Sequence, residues 1–280
     1  MQCRSPYYHP QYRQFFPCNT CLDCRIDRRR VWTTRLVLES LEHANVSYVT
    51  LTYNDENLPE NGYLKKNDLQ GFFKRLRYYV PDVRLRYFAC GEYGEQSLRP
   101  HYHAIIFGLD PVSGYDRCCD SWTYGFVQCV PSTLEAVKYV AGYVTKKLVH
   151  TTGDYSAPPE FILTSRRPGI AYSAVAKLAL AGLQNGDVPK SVMFGGKPYP
   201  LGRYMTAKLR ELMLSPEDLE RLKLAVIWQR YNELQMLVEK HFGKFSYRQG
   251  REAEAYNLEH SAKWASVEAK HKIFSSRSGI

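Results

Sequence analysis

The stretch RPHYHAIIFG, residues 99–108, constrains the fold more than any other part of the chain. It reads as a strand, and side chains alternate across a strand. His101 and His103 therefore share one face, Tyr102 and Ala104 take the other, and an apolar run follows at once. Two neutral imidazoles held side by side suit a divalent cation. The competing reading is a pair of half-buried histidines satisfied by backbone or a carboxylate. A cation that works on phosphates also wants a hard oxygen ligand. The preceding GEYGEQ supplies Glu92, within a strand, and Glu95, in the turn. Glu92 is the expected third ligand, and Glu95 reads as an exposed turn carboxylate.

The neighbouring segments build a sheet around that strand. VSYVTLTYN (46–54) alternates and is β-branched, so it reads as a strand. KKNDLQGFFKRLRYYV has apolar residues at helical spacing, with Asn67 or Asp68 as cap and Pro81 as stop. Strands are expected at 83–94, 99–109 and 125–130, a helix capped by Ser132 at 132–148, and a last strand within EFILTSRRPG. The order β-α-β-β-β-α-β predicts an α+β fold, a small antiparallel sheet with helices packed on one face. From about residue 203 the pattern is helical, with Ser215 capping a long helix and Pro216 in its first turn. The last 35 or so residues are polar and read as loosely held. Three regions are expected: a Cys-rich, basic segment (1–45), a core (46–175) and a mainly helical region (176–280).

Composition narrows the function. Hydrophobic residues make up 44% of the 280, enough for a substantial core. No apolar run is long enough to span a membrane, and MQCRSPYYHP lacks the apolar stretch of a secretory signal. A reducing cytoplasm is the expected setting. The formal charge of +10 points to a polyanionic partner, with nucleic acid the default.

KYVAGYVTKK (138–147) places Tyr139 and Tyr143 four residues apart, one turn apart on one helix face. Lys147 continues that row, and Lys146 is its neighbour. A free tyrosine, with a pKa of about 10, is a poor nucleophile. A lysine can stabilise the phenolate, and a metal can polarise the phosphate it attacks. Otherwise the pair would simply pack on the sheet, with the lysines favouring the helix C-terminus.

Cys18, Cys21 and Cys24 recur at every third position, which in a cytoplasmic chain suggests metal rather than disulfides. Structural Zn²⁺ takes four ligands. Cys3 is the expected fourth, with His9 as alternative. Arg28 stands where a ferredoxin run would carry its next cysteine, which disfavours iron–sulfur. Arg25, Arg28, Arg29 and Arg30 follow as a solvated face or a set of DNA phosphate contacts.

The His-hydrophobic-His strand followed by Tyr-x-x-x-Tyr-x-x-x-Lys resembles the HUH endonuclease superfamily. SYVTLTYNDENLP, RPHYHAIIFG, YVAGYVTKK and the N-terminal CNTCLDCRIDRRRVWTTR are similar to the replication initiators of microviruses, especially the gokushovirus type. The resemblance covers roughly residues 1–175. It implies an HUH-type sheet core and a tyrosine that nicks single-stranded origin DNA. The nick leaves a 5′-phosphotyrosine and a 3′-hydroxyl that primes rolling-circle synthesis. A second tyrosine then allows unit-length circles to be released and sealed. Carried over, Tyr139 and Tyr143 are nucleophiles, and His101 and His103 bind Mg²⁺ or Mn²⁺. Lys147 assists, with Lys146 as fallback. The setting implied is the cytoplasm of a bacterial host, with host helicase and polymerase as partners. A plasmid relaxase or single-strand transposase of the same superfamily would use similar residues. A non-catalytic, zinc-dependent nucleic-acid-binding protein would use only the cysteines and arginines.

Overall fold

A computed structural model describes residues 3–9, 11, 14–94, 97–146, 157–185, 187–243 and 250–278. They form two compact units, one of residues 28–213 and one of residues 1–27 with 214–280. The division is not sequential: the N-terminal segment groups with the last helices, and residues 28–45 group with the sheet.

In chain order the elements begin with strands β1 (Tyr7–His9) and β2 (Gln14–Phe16) and helix α1 (Leu22–Ser40). Then come β3 (Val46–Tyr53), α2 (Lys66–Tyr79), β4 (Arg86–Tyr93), β5 (Pro100–Phe107), α3 (Tyr115–Ser121), β6 (Gly125–Pro131), α4 (Leu134–Lys146) and β7 (Phe161–Thr164). The remainder is α5 (Tyr172–Asn185), β8 (Ser191–Phe194), β9 (Lys197–Pro200), α6 (Gly202–Met213), α7 (Pro216–Phe242) and α8 (Glu252–Ser278). The fold is α+β, as the sequence order predicts.

Five antiparallel strands form the central sheet in the order β6-β3-β5-β4-β7. Helices cover both faces, not one. Leu69, Phe72, Phe73 and Leu76 stand at helical spacing on α2 and bury against Val49, Leu51, Ala89 and Ile106. The other face carries Phe88, Cys90, Ile105 and Phe107, packed with Leu36 of α1, Val140 and Ala141 of α4, and residues of α5 and α6. Single-face packing fails because β4 and β5 are apolar on both sides along much of their length. Such strands need a layer above and a layer below.

Two helix caps also differ from expectation. Thr133, not Ser132, caps α4: its hydroxyl accepts from the Ala136 N–H at 3.1 Å. On α2 neither Asn67 nor Asp68 caps; the helix follows Lys65 with no side-chain cap. Asp68 instead accepts a hydrogen bond from the buried Tyr53 hydroxyl at 2.7 Å. Ser215 does cap α7, accepting from the Asp218 N–H, with proline at the start of the helix. The polar C-terminal stretch forms the 27-residue α8. In its unit Tyr256 lies 5.1 Å from the Phe15 ring, and Arg4 bridges Asp23 and Glu268 at 2.9 and 3.0 Å. Among the described residues no helix is long and apolar enough to cross a membrane.

Candidate active site

Antiparallel register assembles the site. β5 lies between β3 and β4, so His103 stands opposite Thr50 on one side and Cys90 on the other. His101 stands opposite Thr52 and Glu92. The alternation that puts both histidines on one face puts Tyr48, Thr50, Thr52 and Glu92 there too. The expectation from RPHYHAIIFG is met in geometry: both imidazoles emerge beside a strand carboxylate.

Each imidazole is held through Nδ1. His103 Nδ1 lies 2.9 Å from the Tyr48 hydroxyl and 3.2 Å from Thr50 Oγ1. His101 Nδ1 lies 3.2 Å from Thr52 Oγ1. Fixing Nδ1 leaves Nε2 as the outward nitrogen, the usual arrangement for a metal-ligating histidine. His103 Nε2 meets Glu92 Oε1 at 2.7 Å, and both groups are buried. Burial and the neighbouring His103 push the His101 pKa down, with Glu92 opposing, so His101 is neutral and ligand-competent at pH 7. Gly94 gives that ring clearance: a Cβ there would lie 3.1 Å from His101 Nε2. Two nitrogens and one carboxylate form a borderline donor set that fits Mn²⁺ more closely than Mg²⁺.

Helix α4 lays its tyrosines over this face. The Tyr139 and Tyr143 rings stand 5.6 and 5.8 Å from the His103 ring, edge-on and stacked respectively, and 5.0 Å from each other. Their environments differ. Tyr139 is 45% exposed, whereas Tyr143 is 3% exposed. Burial, followed by hydrogen bonds with Glu92 and Tyr139, holds the Tyr143 phenol well above its ordinary pKa. The Tyr48 phenol, also buried, is pushed up to about 12, which keeps its hydroxyl protonated against His103.

Lys147 and Glu95 lie outside the described residues; Lys146 ends α4, and its side chain is outside them too. Of the four arginines, Arg29 donates to the Lys138 carbonyl of α4 at 3.3 Å and Arg30 to the Pro198 carbonyl at 2.9 Å. Both thus tether α1 to its surroundings. Arg25 and Arg28 lie half-buried on the same helix.

Tyr48, Thr50 and Thr52 are site residues that the motifs did not single out. The signal was present: hydroxyls alternate along SYVTLTY, and pairing that strand beside the histidine strand turns them onto the imidazole face.

The cysteines converge in the other unit. One thiol sulfur from each of Cys3, Cys18, Cys21 and Cys24 lies within 4.8 Å of the rest. Cys3, not His9, completes the set. Cys3 Sγ and Cys21 Sγ are 3.8 Å apart. Tetrahedral zinc with Zn–S near 2.3 Å sets its sulfurs about 3.8 Å apart. Backbone N–H groups point at the sulfurs, from Cys18 to Cys3 at 3.2 Å and from Cys21 to Cys18 at 3.3 Å. Burial opposes ionisation at Cys18, but hydrogen bonds from Thr20 and from the Cys21 and Thr20 amides outweigh it and draw this thiol down to about 6. Burial and neighbouring thiols push Cys24 up, and burial pushes Cys3 up. Four thiolates in this space therefore need a cation among them, and the donor set fits Zn²⁺. Among the described residues this is the group that draws three or more candidate ligand atoms together; the histidine–carboxylate set is more open.

A sheet whose central strand presents two histidines to a paired-tyrosine helix defines a class, and sequence comparison agrees with it. Residues 46–148 match the model of the replication-associated protein ORF2 family. The chain is 32% identical over 182 residues to the replication-associated protein ORF2 of Spiroplasma virus 4, with 56% of each chain covered. It is 30% identical over 210 residues to the replication-associated protein VP4 of Bdellovibrio phage phiMH2K, covering 68% of this chain and 65% of that one. Identity to the replication-associated protein ORF4 of Chlamydia phage 1 is 27% over 241 residues, covering 76% and 58%. In each case the chain spans less than two thirds of the relative's length. No solved structure matches significantly. The resemblance to microvirus replication proteins, read from the short motifs, is borne out.

Proposed function

We propose that this chain is a phage replication initiator that nicks and rejoins single-stranded origin DNA through a covalent 5′-phosphotyrosine. One observation carries the reading: the Tyr139 and Tyr143 rings both lie within 6 Å of the imidazole of His103, which itself meets Glu92 at 2.7 Å. A divalent cation held by His101, His103 and Glu92 would supply Lewis-acid polarisation of the scissile phosphate. The exposed Tyr139 attacks first. Its Oη bonds to phosphorus, the P–O3′ bond breaks, the phenolic proton passes to solvent or a neighbouring base, and the 3′-oxygen leaves as a hydroxyl. Tyr143 takes the second cleavage, once DNA or helix movement opens its pocket. Lys147, with Lys146 as fallback, steadies the developing phenolate. Arg25, Arg28, Arg29 and Arg30 contact phosphates with whatever donors their tethering leaves over. The protein acts in the bacterial cytoplasm, and host helicase and polymerase extend the freed 3′ end.

The cysteine cluster supports a second metal role, a structural Zn²⁺ that folds the N-terminal segment. A purely non-catalytic zinc-dependent DNA-binding protein would share that feature but would leave the tyrosine–histidine cluster without use. One experiment separates the two. The protein is incubated with Mn²⁺ and single-stranded oligonucleotides tiling the genome that encodes it, then denatured and run on a gel. A shifted protein–DNA band, mapped by mass spectrometry to Tyr139 or Tyr143, is expected. No adduct on any oligonucleotide, with zinc present in the purified protein, would leave the binding module standing alone.

A further inference from the structure

Away from the histidine face lies a second feature that the motifs do not assign. A groove of about 620 Å³ runs between α2, the start of β4 and the chain just beyond β7. Six cations line it: Lys66, Arg77, Arg84, Arg86, Arg166 and Arg167; no carboxylate does. Five of the six are exposed, Arg86 being the exception. Among the described residues, Lys66, Arg84, Arg166 and Arg167 form no ion pair. A concave row of unneutralised cations focuses a positive field and attracts a polyanion.

The groove is built rather than incidental. Arg86 is buried enough to pair with the fully buried Glu39, and its other nitrogen donates to the Pro168 and Gly169 carbonyls at 3.1 and 3.0 Å. Glu39 also accepts from the Ala171 N–H. These bonds pin the loop that presents Arg166 and Arg167. On the opposite wall Arg77 lies 5.2 Å from the Tyr87 ring, which stacks on Phe73 at 3.6 Å. The cationic head on that wall is held over a rigid aromatic pair. A groove of this volume is the size of a small-ligand site. It admits one strand of a few nucleotides, whereas a duplex would only lie across its rim.

Arg86 and Glu92 are six residues apart on β4, or about 20 Å at strand rise. About six nucleotides at a 3.4 Å rise cover that distance. We propose that this groove binds the phosphodiester backbone of single-stranded DNA flanking the nicking site, and so lengthens the footprint by several nucleotides. The inference rests on the reading of the chain as a single-stranded DNA enzyme, but its test does not use cleavage.

The probe is fluorescein-labelled 30-nucleotide oligothymidylate in EDTA, with binding read by fluorescence anisotropy across a salt series. The triple variant Arg84→Ala, Arg166→Ala, Arg167→Ala should bind about tenfold more weakly. It should also lose about two units of log–log salt slope, about 0.7 per phosphate contact on a single strand. Lysine at the same three positions should restore most of the affinity, which would assign the loss to charge rather than misfolding. A 30-base-pair duplex should be bound equally by wild type and triple variant. Unchanged affinity and slope for oligothymidylate would overturn the proposal, and an equal loss on duplex would overturn its single-strand assignment. A wild-type protein that binds in this assay but forms no tyrosine adduct would instead count against the nicking reading and leave the groove in place.

Discussion

His101, His103 and Glu92 come from two paired strands and meet tyrosines from a later helix, whereas three of the four clustered cysteines come from positions 18–24. The first set depends on register: slipping β5 by one residue would turn both imidazoles to the α2 face. The second depends on a turn and one distant thiol, Cys3. Their chemistry differs in parallel. The sheet face offers mixed nitrogen and oxygen donors, and Tyr139 stands half exposed at its mouth. The cysteine set is all sulfur, closed by backbone amides, with no side open to a substrate. Catalytic metal sites keep a position open, and structural ones close it. The two clusters thus teach opposite uses of a cation, one to act on DNA and one to hold a fold.

The largest expected effect would break the catalytic side. Tyr139→Phe with Tyr143→Phe should abolish the covalent adduct in a denaturing gel. Tyr139→Phe alone should remove most of it and Tyr143→Phe alone the smaller part, following their exposure. An adduct at full yield in the double variant would move the nucleophile elsewhere. His103→Ala should leave the protein folded and unable to nick with Mn²⁺, and full cleavage in excess EDTA would remove the metal from the mechanism.

On the cysteine side, Cys21→Ser should release zinc, measured by elemental analysis. It should also lower the melting temperature of the unit that holds the N-terminus. The binding energy of a structural zinc, about 10–16 kcal/mol in small peptides, is folding energy. That is comparable to a whole domain's stability of about 5–15 kcal/mol, so even partial loss is visible. The same substitution should leave Mn²⁺ binding at the histidine face intact.

Tyr48→Phe is a finer probe. It removes the hydroxyl that orients His103 and should weaken Mn²⁺ binding, read by electron paramagnetic resonance, about tenfold. That is the low end for such partners, because Thr50 also touches the same nitrogen. The smallest effect concerns the cap of the tyrosine helix. Thr133→Ala should cost about 1 kcal/mol in denaturant unfolding. Ser132→Ala should stay within about 0.5 kcal/mol; equal losses would return the cap to Ser132.

How much of this was legible depended on how local the signal is. Period-two alternation placed β3, β4, β5 and β6, and the same period put His101, His103 and Glu92 on one face once the β4–β5 hairpin is drawn. The spacing of Tyr139 and Tyr143 gave their shared helix face. Their unequal burial was not legible, because it depends on how α4 settles against the strands. Helices on both faces were missed although YFAC and AIIF are apolar at every position, the mark of strands buried on two sides. Thr133 lost to Ser132 at the sequence level because adjacent hydroxyls are equivalent until the backbone turns. The basic groove joins α2 to residues far along the chain, and no short window contains it.

The rims of the central sheet have a consequence for handling the protein. An exposed strand edge is a template for pairing with another chain, and proteins blunt such edges with short strands, prolines and charges. Here β7 is four residues long and runs into Arg166, Arg167 and Pro168, while β6 ends at Pro131. The arginines that line the groove therefore also act as gatekeepers against sheet-to-sheet growth. Replacing them should favour aggregation during expression as well as weaken DNA binding, and bound single-stranded DNA would mask that same edge.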